Sequence, residues 1–148
     1  MNKENIWQST VNPIEVKINL SRKHLKGLKD SSASDTKSSA GDKFETSREM
    51  MQQEITKAEI HLAQLLSQLE ILNAISPLQQ SKEVGLGSFV ITNKGSFYIS
   101  TSIGKVKNED GFFFCISTES PMGAALLGLK NGENTKVNGN KIEVLEIL

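Results

Sequence analysis

Four side chains between residues 35 and 45 could do chemistry by type and spacing. Asp42 and Glu45 stand three residues apart in "SAGDKFETSREMM", with Asp35 and Lys37 just upstream. The bland account is that Asp42 and Glu45 are first-turn charges favoured at a helix N-terminus. Cys115 is the single cysteine, set in the apolar run "GFFFCI", and reads as core: His24 and His61 belong to no recognisable nucleophile-and-base motif. One cysteine allows no intramolecular disulfide and no cysteine-based metal cluster. Met50 and Met51 fall partly on a helical seam. Gly85 and Gly87 in "EVGLGSF" look like a phosphate loop, but no Gly-Lys-Ser/Thr follows, so they shape entry to a strand. Further on, Ser120 and Pro121 are a natural helix cap and first helical residue.

These residues sit in a chain of 148 residues with 17 basic and 17 acidic side chains and no net charge. The balance holds on both sides of residue 80, ten against ten and then seven against seven. Duplex-binding modules carry a basic excess that neutralises phosphates, so direct nucleic-acid binding is disfavoured. Apolar stretches such as "GAALLGL" fall far short of a membrane span of roughly 18 residues. The N-terminus has no continuous apolar core of the signal-peptide kind. The chain reads as a soluble, reducing, cytoplasmic protein without membrane association.

Composition divides the chain near residue 77. Residues 1–76 read as an antiparallel helical hairpin with its tip at about 31–45, residues 77–83 as a linker, and residues 84–148 as a small α+β domain. In the second helix Met51, Ile55, Ala58, Leu62, Leu65, Leu69 and Leu72 alternate by four and three, following Phe44 seven residues earlier. That 3.5-residue period is a coiled-coil seam. Ile60, Leu66 and Ile71 broaden the stripe and imply packing on more than one partner. The helix, from about 42 to 74, is roughly 50 Å long. Its partner lies upstream, where Asn12 and Pro13 read as cap and first residue and Val11, Ile14, Ile18, Leu25 and Leu28 keep helical spacing. "IEVKINL" in the same stretch alternates as a strand would. The upstream helix is basic and the downstream one acidic, which suits antiparallel pairing. Beyond the linker, strands are expected in "GSFVITN", "GSFYISTS", "IGKVKN" and "GFFFCIST", then a short helix from Pro121, then a hairpin turning at Asn138 and Gly139.

The run "FFFCISTESPMGAALLGLKNGENTKVNGNKIEVLEI" resembles the C-terminal domain of the GreA/GreB transcript-cleavage factor family, bacterial proteins that bind RNA polymerase. The family pattern is I-S-x-x-S-P-hydrophobic-G/A-x-A-L-hydrophobic-G-x-x-x-G-D/E before a last strand ending in E-I. Ile116, Ser117, Ser120, Pro121, Ala125, Leu126, Gly128, Gly132, Glu133, Glu146 and Ile147 match it in order. The resemblance covers about 65 residues; in the helical half it rests on architecture and on "SAGDKFETSREMMQ".

The resemblance implies a coiled-coil hairpin that enters the polymerase secondary channel and a C-terminal domain of FK506-binding-protein-like fold, an antiparallel sheet with one short helix, at the channel rim. Glu119, Ser120 and Pro121 take the place of the family's polymerase-contacting segment. Family cleavage factors carry an Asp-x-x-Glu pair at the tip that helps hold a second Mg²⁺ at the polymerase's active site. Anchored on Phe44, that pair falls on Lys37 and Ala40, while Asp42 and Glu45 repeat the spacing a few residues later. The implied protein is a transcription elongation regulator, not an enzyme itself, with no cofactor of its own beyond Mg²⁺ shared with the polymerase, and nucleic acid met only within that complex. It either stimulates transcript cleavage or blocks the channel. Two other classes compete: an FK506-binding-type prolyl isomerase, for which the aromatics are too few, and a coiled-coil adaptor that dimerises, where the hairpin implies a monomer.

Overall fold

The computed structural model describes residues 2–35 and 41–148, and only the backbone at residues 35 and 41–44. Helix α1 spans Lys3–Asp35 and α2 spans Gly41–Ala74. The start of α1 differs from the expectation. Its cap is Asn2, whose Oδ1 accepts the Glu4 N–H at 2.8 Å, and Pro13 lies inside the helix. A proline in a helix interior costs about 3 kcal/mol. The ten residues before it repay that by burying Ile6, Thr10 and Val11, each at most 2% exposed. The strand-like alternation of "IEVKINL" also gives way to the helical period, with Ile14 and Ile18 buried and Val16 and Leu20 more than half exposed.

The chain forms two compact units, residues 13–67 and residues 1–12 with 68–148. The first contains helix alone. Ile14, Ile18 and Ser21 of α1 and Ile55, Ala58 and Leu65 of α2 are buried in it, with Leu25, Leu28, Met51 and Leu62 half-buried. Spaced by three and four, they form the seam of a two-helix coiled coil. Five residues separate the helix ends, too few to return along a helix about 50 Å long, so the pairing is antiparallel. The seam is apolar: among the described residues, the ion pair within 4 Å is Lys57 with Glu54 at 3.5 Å, exposed and inside α2. Among the described residues the expected charge complementarity between the helices takes no close-contact form; the side chains of Asp42 and Lys43 lie outside the described structure. Ile60, Leu66 and Ile71 do not widen the buried stripe either, being 55%, 38% and 38% exposed.

The second unit is built on a six-stranded sheet: β1 Phe89–Thr92, β2 Gly95–Ser100, β3 Gly104–Asn108, β4 Gly111–Ser117, β5 Asn134–Val137 and β6 Asn140–Ile147, with helix α3 at Pro121–Leu126. The strand order is β3-β4-β2-β1-β6-β5. The sheet is antiparallel as expected except at β2 and β4, which pair in parallel with Phe97 beside Phe114 and Tyr98 beside Cys115. That pair is parallel because the chain leaves β2 for β3 at the sheet's edge and hairpins back from β3 into β4, which lies between β3 and β2. Asn138 and Gly139 turn β5 into β6 with φ of 50° and 79°, the two left-handed residues a tight hairpin requires.

Alternation gives the sheet two buried faces. On one, Val90, Phe97, Ile99, Ile142 and Val144 pack with Leu126 of α3 and Val84. On the other, Phe89 meets Phe113 edge-on at 5.4 Å and Phe113 meets Tyr98 at 6.3 Å. This second face receives the base of the hairpin. Thr10 Oγ1 lies 3.6 Å from Cys115 Sγ, and Ile75 sits so close to Gly87 that a Cβ there would come within 2.9 Å of it. The Trp7 indole donates to the Leu72 carbonyl at 2.8 Å, joining the start of α1 to the end of α2.

Ser21 occupies a seam position with its hydroxyl buried and without a partner among the described residues. An unpaired buried hydroxyl costs about 1–3 kcal/mol. Ser21→Ala is therefore expected to raise the stability of the hairpin by about 1 kcal/mol, read as a higher urea midpoint by circular dichroism. A lower midpoint would show that the hydroxyl is paired.

Candidate functional site

The turn between β4 and α3 is held by a closed set of side-chain to backbone hydrogen bonds. Ser120 caps α3, its Oγ accepting the Gly123 N–H at 3.0 Å and donating to the Ser117 carbonyl at 2.8 Å. Ser117 returns the contact, its Oγ accepting the Ser120 N–H at 3.1 Å. Pro121 then opens the helix where its missing N–H costs nothing. Gly123 closes the turn from below: a Cβ there would fall 2.0 Å from the Ser117 carbonyl oxygen. The result is a stiff projection carrying Glu119 and Pro121, both exposed, with Ser120 half-buried beneath them. Glu119, Ser120 and Pro121 are thus brought together on one short segment.

The tip candidates lie in the other unit. Glu45 is exposed on α2, five residues into the helix. Asp42 precedes it by three residues on the same helix, and Asp35 is the last residue of α1; the side chains of both lie outside the described structure. Lys37 lies outside the described residues altogether. Among the described residues no group of three or more His, Cys, Asp or Glu side chains could hold a metal ion, and no helix is long and apolar enough to cross a membrane.

Cys115 is core, as its strand pattern implied: it is 1% exposed. Burial pushes its thiol up to about 11, against the opposing pull of the Thr10 hydroxyl, so little thiolate forms at neutral pH. Burial also pushes the Tyr98 hydroxyl upward, with Cys115 adding to it. Burial lowers the ammonium of Lys3, which donates to the Gln79 carbonyl and ties the linker to the start of α1.

Sequence reasoning missed two features. One is the shallow polar recess of about 220 Å³ where Asn5, Gln8, Ser9 and Asn12 of α1 face Asn108, Glu109 and Asp110 of the β3–β4 turn. The spacing of the four α1 residues by three, one and three is the available signal, masked by Asn12 and Pro13, which imitate a helix start. The other is Ser117, whose capping partnership with Ser120 was legible only as a matched letter.

No protein-family model matches the chain, and no curated protein does. Among solved structures it is similar over most of its length to a transcription factor Gfh1, at 22% identity over 94% of this chain and 93% of the other with a TM-score of 0.39. It is also similar to the GreA factor homolog 1 (Gfh1) protein of Thermus thermophilus, at 17% over 95% of each chain with a TM-score of 0.34. Thermus aquaticus Gfh1 stands at 19% identity, over 95% of this chain and 94% of the other, with a TM-score of 0.36.

Ser120→Ala is expected to cost about 1 kcal/mol as a lost cap, and Gly123→Ala more, because it displaces the Ser117 carbonyl. Urea denaturation gives the order, and equal costs would contradict the close approach. Cys115 gives a pH signature. Its pKa is raised on folding, so the folded chain keeps a proton that the unfolded chain releases from about pH 9 upward. Stability present below pH 9 should fall as pH rises toward 11. The difference between wild type and Cys115→Ala across pH 9 to 10 isolates this slope; parallel profiles would contradict it.

Proposed function

We propose that the protein is a Gre-like factor that binds RNA polymerase, with its helical hairpin in the secondary channel and its C-terminal domain at the rim. It acts on elongation through the polymerase's active site and has no catalytic centre of its own. The observation that carries this reading is the turn from Ser117 to Gly123. Ser117 and Ser120, which carry the resemblance, are locked to each other by hydrogen bonds, and Pro121 follows them, exposed, at the start of α3. A rigid contact loses less entropy on docking than a mobile one. The hairpin adds support: an antiparallel coiled coil about 50 Å long is suited to reaching down a channel, and in this reading the protein acts as a monomer.

In this reading the tip stimulates transcript cleavage by the polymerase. Asp42 and Glu45, three residues apart near the start of α2, are the carboxylates that complete an oxygen-ligand shell for Mg²⁺, the remaining ligands coming from the polymerase and the RNA. A second reading, a channel blocker without cleavage, is favoured by a specific departure: the positions that align with the family's acidic pair carry Lys37 and Ala40.

The test adds the protein to stalled elongation complexes of its own polymerase, alongside Asp42→Asn and Glu45→Gln. Wild type is expected to bind core polymerase and shorten the transcript, and each variant to bind equally while cleavage falls at least tenfold. Absence of binding would sink the whole reading. Variants that cleave as wild type does would remove the acids from the mechanism, and binding with slowed elongation and no cleavage would establish the blocker.

A further inference from the structure

The cover over the first face of the sheet stops short of its β3–β4 edge, and what emerges there is an aromatic residue among lysines. Phe112 is 54% exposed. It stands directly across from Lys107, and Phe114 directly across from Lys105, so all four side chains share one face. Lys105 Nζ lies 4.0 Å from the centroid of the Phe112 ring, and Phe114 meets the same ring edge-to-face at 5.8 Å. On β2, the residue on this face beyond Phe97 is Gly95, where an added Cβ would touch nothing within 4 Å. The ring therefore lies beside open sheet surface.

Charge is sorted between the two faces of this edge. The neighbouring acids, Glu109 and Asp110, line the recess against α1 on the opposite side, leaving the Phe112 face cationic. The Lys105 ammonium occupies one π-face of the exposed ring, the place a stacked base would take. A flat ligand bearing phosphates would replace the ammonium on that face and give Lys105 an anion in exchange. Sheet aromatics with flanking cations are how single-stranded nucleic acids are held, bases stacked and backbone neutralised. The chain's zero net charge argues against a long-range field, not against a short local site.

We propose that the open β3–β4 face binds single-stranded nucleic acid, one base stacking on Phe112 and adjacent phosphates meeting Lys105 and Lys107. The site is separate from the Ser117–Gly123 turn and does not depend on how that turn is used.

Fluorescence anisotropy with a labelled single-stranded oligouridylate, titrated with the full chain at low and moderate salt, tests it. Binding is expected to be saturable. Phe112→Ala should weaken it about tenfold, within the range for loss of one stacked base. Lys107→Ala should weaken it a few-fold and lower the salt slope by about 0.7. Lys136→Ala on β5, at the far edge of the sheet, should change nothing. Circular dichroism checks that the variants stay folded, which the exposure of Phe112 favours. Failure to bind at hundreds of micromolar protein would overturn the proposal, as would wild-type affinity in Phe112→Ala. So would equal competition by an oligoglutamate peptide, which would make the face a reader of acidic protein segments.

Discussion

Everything in the larger unit depends on the burial of three helical turns, Lys3 to Asn12, against the second face of the sheet. A two-helix coiled coil covers each helix from one side only and is marginal by itself. Here its base is held by more than a seam: Ile6, Thr10, Leu72 and Ile75 are buried, and Trp7 bonds across to the end of α2. Fully burying side chains of this size is worth about 1.5–3 kcal/mol each. That is enough to keep a helix running through Pro13 and to hold a cysteine as neutral packing material.

The same arrangement divides labour between the faces of the sheet. One face is given to the hairpin base. The other is roofed by α3, whose entry is fixed by the Ser117–Ser120 exchange of hydrogen bonds, and the roof reaches Phe114 and Ile116 of β4 but leaves Phe112 exposed. The exposed Phe112 edge lies beyond the reach of α3, a helix of six residues, and of Val84 and Leu129, which cover the same face.

Much of the fold was legible in the residues. The alternation by three and four in α2 placed its seam correctly from Met51 to Leu72, the side chain of Phe44 lying outside the described structure, and Asn138-Gly139 placed the last hairpin. What was not legible has physical causes. Pro13 imitates a helix start because local sequence cannot show that Ile6 and Thr10 are buried by residues a hundred positions away. The parallel pairing of β2 with β4 is set by β3 being only an edge strand, which its own five residues do not reveal. Ser21 interrupts the apolar pattern yet holds a seam position, since spacing rather than polarity decides which residues face the partner helix. At the candidate site, Ser120 and Pro121 were readable as a cap from sequence, while the role of Ser117 and the missing room at Gly123 needed coordinates. Asp42 and Glu45 were legible as acids at a helix start and nothing more.

The central claim is that the hairpin carries its tip toward the polymerase active centre. A photo-crosslinking residue placed at position 45, on the exposed side of α2, tests it in stalled elongation complexes. The account predicts crosslinks to the catalytic subunits near the active centre, abolished by filling the secondary channel with a competing factor. Crosslinks confined to the outer surface of the polymerase, or none above the level of an unrelated coiled coil, would contradict it.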